Sequence, residues 1–189
     1  MIPVVVLALY FLKETPGAFA SYKYLLGHLA CWVFVIASIT DFLDGYIARK
    51  RNIVTVFGSF LDPIADKFLV VSSLIMLLYL DRVHAIVVII LVLREMYMTS
   101  LRLLALGEGI NVPVSSTGKW KTGTQMVATP MLMIYDYFLG MNLVLLGTVL
   151  IYVSSFLSML SALIYSLNMI KKLRENRVER RKQKKEKKA

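Results

Sequence analysis

The chain has 189 residues, 58% of them hydrophobic, and a net charge of +10. That apolar share exceeds the roughly 45–50% of soluble globular domains, and it accompanies a mean hydropathy of +0.67; a soluble globular domain is excluded. Most of the net charge lies beyond residue 170, so no nucleic-acid-binding face is indicated, and the single cysteine, Cys31, excludes an intrachain disulfide and suggests no thiolate metal site.

Six apolar segments are expected at 2–12, 24–49, 57–80, 84–106, 120–139 and 142–170. Several approach or reach the roughly 20 residues that span a bilayer, which predicts an all-α, polytopic membrane protein built as a six-transmembrane-helix bundle. The first segment, of about 11 residues, is too short to cross by itself. The second ends in Asp41-Phe-Leu-Asp44-Gly45-Tyr-Ile-Ala48-Arg49. Residues three and four apart share a helix face, so Asp41, Asp44, Gly45, Ala48 and Arg49 form one stripe. The third segment opens with Gly58-Ser-Phe-Leu-Asp62-Pro-Ile-Ala-Asp66, in which Gly58, Asp62 and Asp66 stand one above another. Two such helices facing each other bring four carboxylates together. Each ionised side chain at mid-membrane costs roughly 2.5–3.5 kcal/mol on insertion scales, so four need a compensating partner. A divalent cation, or a pair of them, supplies it, and hard oxygen ligands suit magnesium or manganese rather than zinc. The competing reading makes these acids helix caps or ion-pair partners of Arg49 and Lys67.

The fourth segment contains Leu93-Arg94-Glu95-Met-Tyr-Met-Thr99-Ser-Leu-Arg102, and the fifth opens with Gly118-Lys119-Trp-Lys121-Thr122. Arg94 and Arg102 lie about 80° apart around a helix, so both can face one cavity two turns apart. Cations buried near a metal cluster repel it unless an anion sits between them. A phosphate fits that gap, held by guanidinium forks and lysine point charges. The plainer alternative is that Arg102, Lys119 and Lys121 snorkel to the interface. In the sixth segment Ser154, Ser158, Ala162 and Ser166 recur every four residues, a stripe that permits close packing within the bundle or in a homodimer.

Six helices put both termini on one side. On that side lie Lys50, Arg51, Lys119, Lys121 and the eleven Lys or Arg of the tail, whereas the opposite loops carry Lys13, Lys23 and Arg82. The positive-inside rule places the termini and the acidic motif in the cytoplasm-facing half. The tail, residues 171–189, either lies against anionic lipid headgroups or is a solvated topogenic extension.

The acidic set reads DxxDGxxARx8GxxxDxxxD, with all eight fixed positions filled, and it resembles the signature of the CDP-alcohol phosphotransferases, integral membrane enzymes of phospholipid synthesis. Arg-Glu ahead of Thr-x-Leu-Arg, followed by Gly-Lys-x-Lys-Thr, is similar to the pattern of the bacterial phosphatidylglycerophosphate synthases within that superfamily. The resemblance implies a domain over 1–170, multi-pass in the inner (cytoplasmic) membrane, with its active site facing the cytoplasm. It implies two Mg2+ or Mn2+ ions on Asp41, Asp44, Asp62 and Asp66, with Asp66 also the catalytic base. Asp41, Gly45, Ala48, Arg49 and Gly58 border the CDP moiety, while Arg94, Arg102, Lys119 and Lys121 are inferred contacts for the acceptor phosphate. The implied substrates are CDP-diacylglycerol and glycerol 3-phosphate, and the products phosphatidylglycerol phosphate and CMP. Relatives usually begin with an amphipathic Asn-x-x-Thr-x-x-Arg stretch, whereas this chain starts at Met1-Ile2-Pro3, as though inside the first helix with that stretch missing. Two other readings remain: the same chemistry with inositol phosphate, serine or phosphatidylglycerol as acceptor, and a divalent-cation transporter using the acids as its site.

Overall fold

Apolar residues at helical spacing form each long element. In α1 (Ile2–Glu14) the buried residues Val5, Ala8, Leu9 and Leu12 make one stripe at the i, i+3, i+4, i+7 spacing. It packs on α2 (Ala20–Lys50) and α3 (Val56–Tyr79). There follow α4 (Ala85–Gly107), α5 (Ser116–Ile134) and α6 (Leu143–Glu186), so the elements among the described residues are helices apart from one small hairpin. The computed structural model describes residues 1–14, 20–50, 56–108, 116–134, 137–138 and 141–186. Within them, the side chains of 20–21, 42, 45, 48–49, 56–66, 106, 116–117, 119, 137–138, 141 and 177–186 lie outside the description.

The central helix is α5, which packs against α2, α3 and α6. Its Gln125, Ala128, Thr129, Leu132 and Met133 are buried, joining Leu9, Phe34, Leu74, Leu77, Leu91 and Ile151 in the main core. Close approach at two crossings depends on glycine. A Cβ on Gly27 would stand 2.9 Å from the Met133 carbonyl oxygen, and one on Gly147 would stand 2.9 Å from Leu132 Cγ. A second apolar cluster, Met98 and Ala105 with Ala162, Tyr165 and Met169, holds α4 to α6.

The ends of the helices are set by tertiary partners as well as by local sequence. After α3, Arg82 N–H donates to Leu77 O and Asp81 N–H to Leu78 O, both at 2.9 Å, with Asp81 at φ 58°; this paired pattern around a left-handed residue is a Schellman cap. The Arg82 guanidinium then donates to Leu132 O at 2.9 Å and Met133 O at 2.6 Å, satisfying last-turn carbonyls of α5. The fifth expected segment, 120–139, therefore ends early as a helix, at Ile134. Antiparallel strands β1 (Tyr137–Phe138) and β2 (Met141–Asn142) follow, with Tyr137 opposite Asn142 and Phe138 opposite Met141. The last helix differs in the other direction. Expected to end near residue 170, α6 continues through the basic residues for 44 in all, about 66 Å at 1.5 Å per residue. Leu173 packs on the second cluster, and the Asn176 amide donates to Glu108 O at 3.3 Å, which ties the extension to the end of α4.

Among the described residues, Tyr22–Asp41 and Leu143–Asn176 are long and apolar enough to cross a bilayer, while Lys67–Tyr79 is apolar but shorter. The remaining helices fall short for different reasons: α1 has 13 residues, α4 carries Arg94, Glu95 and Arg102, and α5 carries polar residues along with Lys119 and Lys121. Large apolar side chains are nevertheless exposed around the molecule, including Leu7 on α1, Trp32 on α2, Phe68 on α3, Leu93 on α4 and Phe156 on α6. So many exposed large apolar side chains are unusual for a soluble monomer. They suit a protein associated with lipid.

Candidate active site

The acidic stripe of α2 lies near the end of a helix that runs unbroken to Lys50, so Asp41, Asp44, Gly45, Ala48 and Arg49 do share one element. Asp41 and Asp44 line a cleft of about 250 Å3 together with Ala37 and Thr40 from the same helix, Leu69 of α3, and Met1 and Ile2. The spacing accounts for this: 37, 40, 41 and 44 fall on one face at 100° per residue. Both carboxylates are exposed, and the donors in the cleft wall are oxygens. Such a set fits a hard cation such as magnesium or manganese. Among the described residues no group of three or more His, Cys, Asp or Glu stands ready to hold a metal ion. The other expected ligands, Asp62 and Asp66, belong to α3, which contacts α2, but their side chains lie outside the described residues, as do those of Gly45, Ala48, Arg49 and Gly58.

The second constellation comes together differently from its expected arrangement. Arg94 is buried against α6, donating from Nε to Ser158 O at 3.3 Å and from one terminal nitrogen to Ser161 Oγ at 2.7 Å. Its other terminal nitrogen reaches the Glu95 carboxylate at 3.1 Å. Lys121 of α5, also buried, donates to that carboxylate at 2.7 Å. The anion between these two cations is therefore a side chain of the protein, Glu95. Arg102 is exposed. The offset of about 80° that allowed the two arginines to share a cavity instead turns Arg94 onto α6. Lys119 is in the first turns of α5, but its side chain lies outside the described residues.

A cavity of about 70 Å3 lies beside this cluster, walled by Lys67, Val70, Val71 and Leu74 of α3, Leu91 and Glu95 of α4, and Lys121, Thr122, Gln125 and Met126 of α5. Neither Arg94 nor Arg102 lines it. Lys67 is the member that sequence reasoning did not place in a site. Its ammonium donates to Thr99 Oγ1, and Thr99 in turn donates to the Glu95 carbonyl at 2.8 Å. A lysine one residue after Asp66 inside an apolar helix was the available signal, because an intramembrane ammonium requires a partner.

A family profile described as CDP-alcohol phosphatidyltransferase matches residues 1–168. A Bacillus subtilis protein named CDP-diacylglycerol–glycerol-3-phosphate 3-phosphatidyltransferase is 46% identical over 112 residues, 59% of this chain and 58% of that protein. A Rickettsia felis protein of the same name is 38% identical over 166 residues, 87% of this chain and 86% of the relative. An Arabidopsis thaliana protein, number 2 of that name, is 36% identical over 160 residues, covering 73% and 69%. With its profile running from α1 into α6, the chain belongs to the CDP-alcohol phosphatidyltransferase family of enzymes.

Proposed function

We propose that this chain transfers the phosphatidyl group of CDP-diacylglycerol to glycerol 3-phosphate, giving phosphatidylglycerol phosphate and CMP. The observation that carries the reading is the family match over 168 residues, with relatives of that activity by name. The cleft shared by Asp41 and Asp44 supports it. Asp41, Asp44, Asp62 and Asp66 would hold magnesium or manganese, as two ions. When bound, those ions neutralise charge on the pyrophosphate and on the departing CMP oxygen. Gly45, Ala48, Arg49 and Gly58 border the CDP moiety alongside Asp41. Asp66 takes the proton of the acceptor hydroxyl as that oxygen bonds to the lipid-side phosphorus and the bond to CMP breaks. The acceptor phosphate meets the cationic set: Lys121 in the cavity wall, Arg102 and Lys119 towards the cytoplasm, and Arg94 behind them through Glu95.

The whole helical unit, residues 1–170, is proposed to be a six-helix bundle in the inner (cytoplasmic) membrane, with both termini and the site facing the cytoplasm and 171–189 as a basic tail. The exposed apolar side chains support immersion, and the Arg94–Glu95 pair reduces the cost of carrying charge in α4. The Ser154, Ser158, Ala162, Ser166 stripe would serve packing within the bundle or in a homodimer. Ser154 and Ser158 are fully buried, and Ser154 donates to Lys121 O at 3.1 Å, which favours the bundle.

The test is CMP release by protein reconstituted with CDP-diacylglycerol and magnesium, with glycerol 3-phosphate, myo-inositol 1-phosphate or serine offered in parallel. Release with glycerol 3-phosphate alone is expected. Release with another acceptor alone would discard the proposed substrate.

A further inference from the structure

Helix α6 carries two stripes end to end. Leu160, Leu163, Leu167 and Ile170 are exposed along one side of it, at the alternating three and four residue spacing of a single helix face. Beyond them the same side turns cationic. At 100° per residue, Lys171, Arg174, Arg181 and Lys185 fall within about 40° of Leu167, whereas Glu175, Glu179 and Glu186 fall about 80–120° away. From 171 to 186 the helix holds nine Lys or Arg against three Glu, a net of +6 whatever pairs form within it. Its register against α4 sets where the change falls. The two helices run side by side in the same direction, with Arg94 on Ser158 and Ser161, Tyr97 on Ser166, and Asn176 on Glu108. On that alignment the first exposed cations, Lys171 and Arg174, come level with the last turn of α4, just where its exposed Leu103 and Leu104 end. Residues 143–170 measure about 42 Å at 1.5 Å per residue, against a hydrocarbon core of roughly 30 Å, a mismatch that tilting relieves. A helix that crosses obliquely leaves the surface obliquely, within reach of long Lys and Arg stems.

We propose that the face of α6 bearing Lys171, Arg174, Arg181 and Lys185 is a docking surface for anionic phospholipid headgroups of the cytoplasmic leaflet, the chemical class of the proposed product. Charge complementarity carries the assignment, because an anionic leaflet attracts juxtamembrane Lys and Arg over about a Debye length. The helix keeps its glutamate positions off that face, and the apolar stripe that precedes it meets the acyl chains of the same lipids. The assignment rests on α6 crossing the bilayer with its basic end towards the cytoplasm.

The test uses the full chain, with Cys31→Ser and a dye on Val178→Cys, in nanodiscs whose lipids carry a headgroup-attached quencher. Position 178 lies on the cationic face, about 20° from Leu167. Adding phosphatidylglycerol to phosphatidylcholine is expected to increase quenching, and salt at about 1 M, where the Debye length is about 3 Å, is expected to remove the gain. Arg181→Gln with Lys185→Gln is expected to lose most of it. Arg180→Gln with Lys184→Gln removes the same charge from positions about 100–140° from Leu167 and is expected to keep it. Gln is nearly as good a helix former as Lys or Arg, so both pairs preserve α6. No gain with phosphatidylglycerol, or equal losses in the two pairs, would overturn the proposal. A gain specific to Arg181 and Lys185, in a protein whose thiols at Ala189→Cys and His84→Cys react from the same face, would uphold the docking surface and reject the crossing on which it was placed.

Discussion

Arg94 satisfies its guanidinium with Ser158 O, Ser161 Oγ and Glu95, on two helices. Replacing it with Met leaves those oxygens without their charged donor. Polar contacts between membrane helices are worth about 0.6–1.7 kcal/mol each, so Arg94→Met is expected to destabilise the protein by about 1–3 kcal/mol, read as a lower unfolding midpoint in detergent. The loss should exceed that of Arg102→Met, whose side chain is exposed. For the acids the expected change is in metal affinity. Asp44→Asn should raise the magnesium concentration for half-maximal CMP release at least tenfold, and chelation should abolish turnover until magnesium or manganese is restored. The proximity of Asp41 and Asp44 was legible in the sequence because three residues make nearly one helical turn. The Lys67–Thr99 bond and the Glu95 bridge to Lys121 were not, since each depends on how two helices are aligned along their length, and intrahelical spacing carries no such information.

Among the elements, all six helices were legible as apolar runs, and most of their ends agree within a few residues with the expected ones. The exceptions have physical causes. Helix α5 stops at Ile134, where Arg82, some fifty residues earlier, takes the Leu132 and Met133 carbonyls. A cap delivered from that distance leaves no local signal. Helix α6 outruns its apolar stretch because Lys, Arg and Glu are good helix formers and because Leu173 and Asn176 still have partners on α4 and on Glu108 just after it. Arg82→Met should cost about 1.5–3 kcal/mol, the range for hydrogen bonds to charged groups. Gly27→Ala should cost about 1–3 kcal/mol by overpacking the α2–α5 crossing against backbone. Both are read from thermal unfolding of the purified protein, and Gly107→Ala, where a Cβ meets nothing within 4 Å, is the control.

For the whole molecule, the apolar exterior suits an enzyme associated with the membrane, and the uneven placement of Lys and Arg is the basis for proposing that it works from the basic side. With buried Cys31 changed to Ser, a thiol introduced by Ala189→Cys should react with an impermeant reagent only from the cytoplasmic face. One introduced by His84→Cys should react only from the opposite face. The proposed orientation rests on charge asymmetry alone; the number of crossings is harder to read from sequence, because α4 and α5 carry ionisable residues that the structure turns inward onto one another at Glu95. The central claim is the transfer itself. Mass analysis of the lipid formed by purified protein from CDP-diacylglycerol, glycerol 3-phosphate and magnesium tests it most directly. Phosphatidylglycerol phosphate, in step with CMP and absent with Asp66→Asn, is the predicted result, whereas no such lipid from the wild type, or equal amounts from Asp66→Asn, would contradict the account.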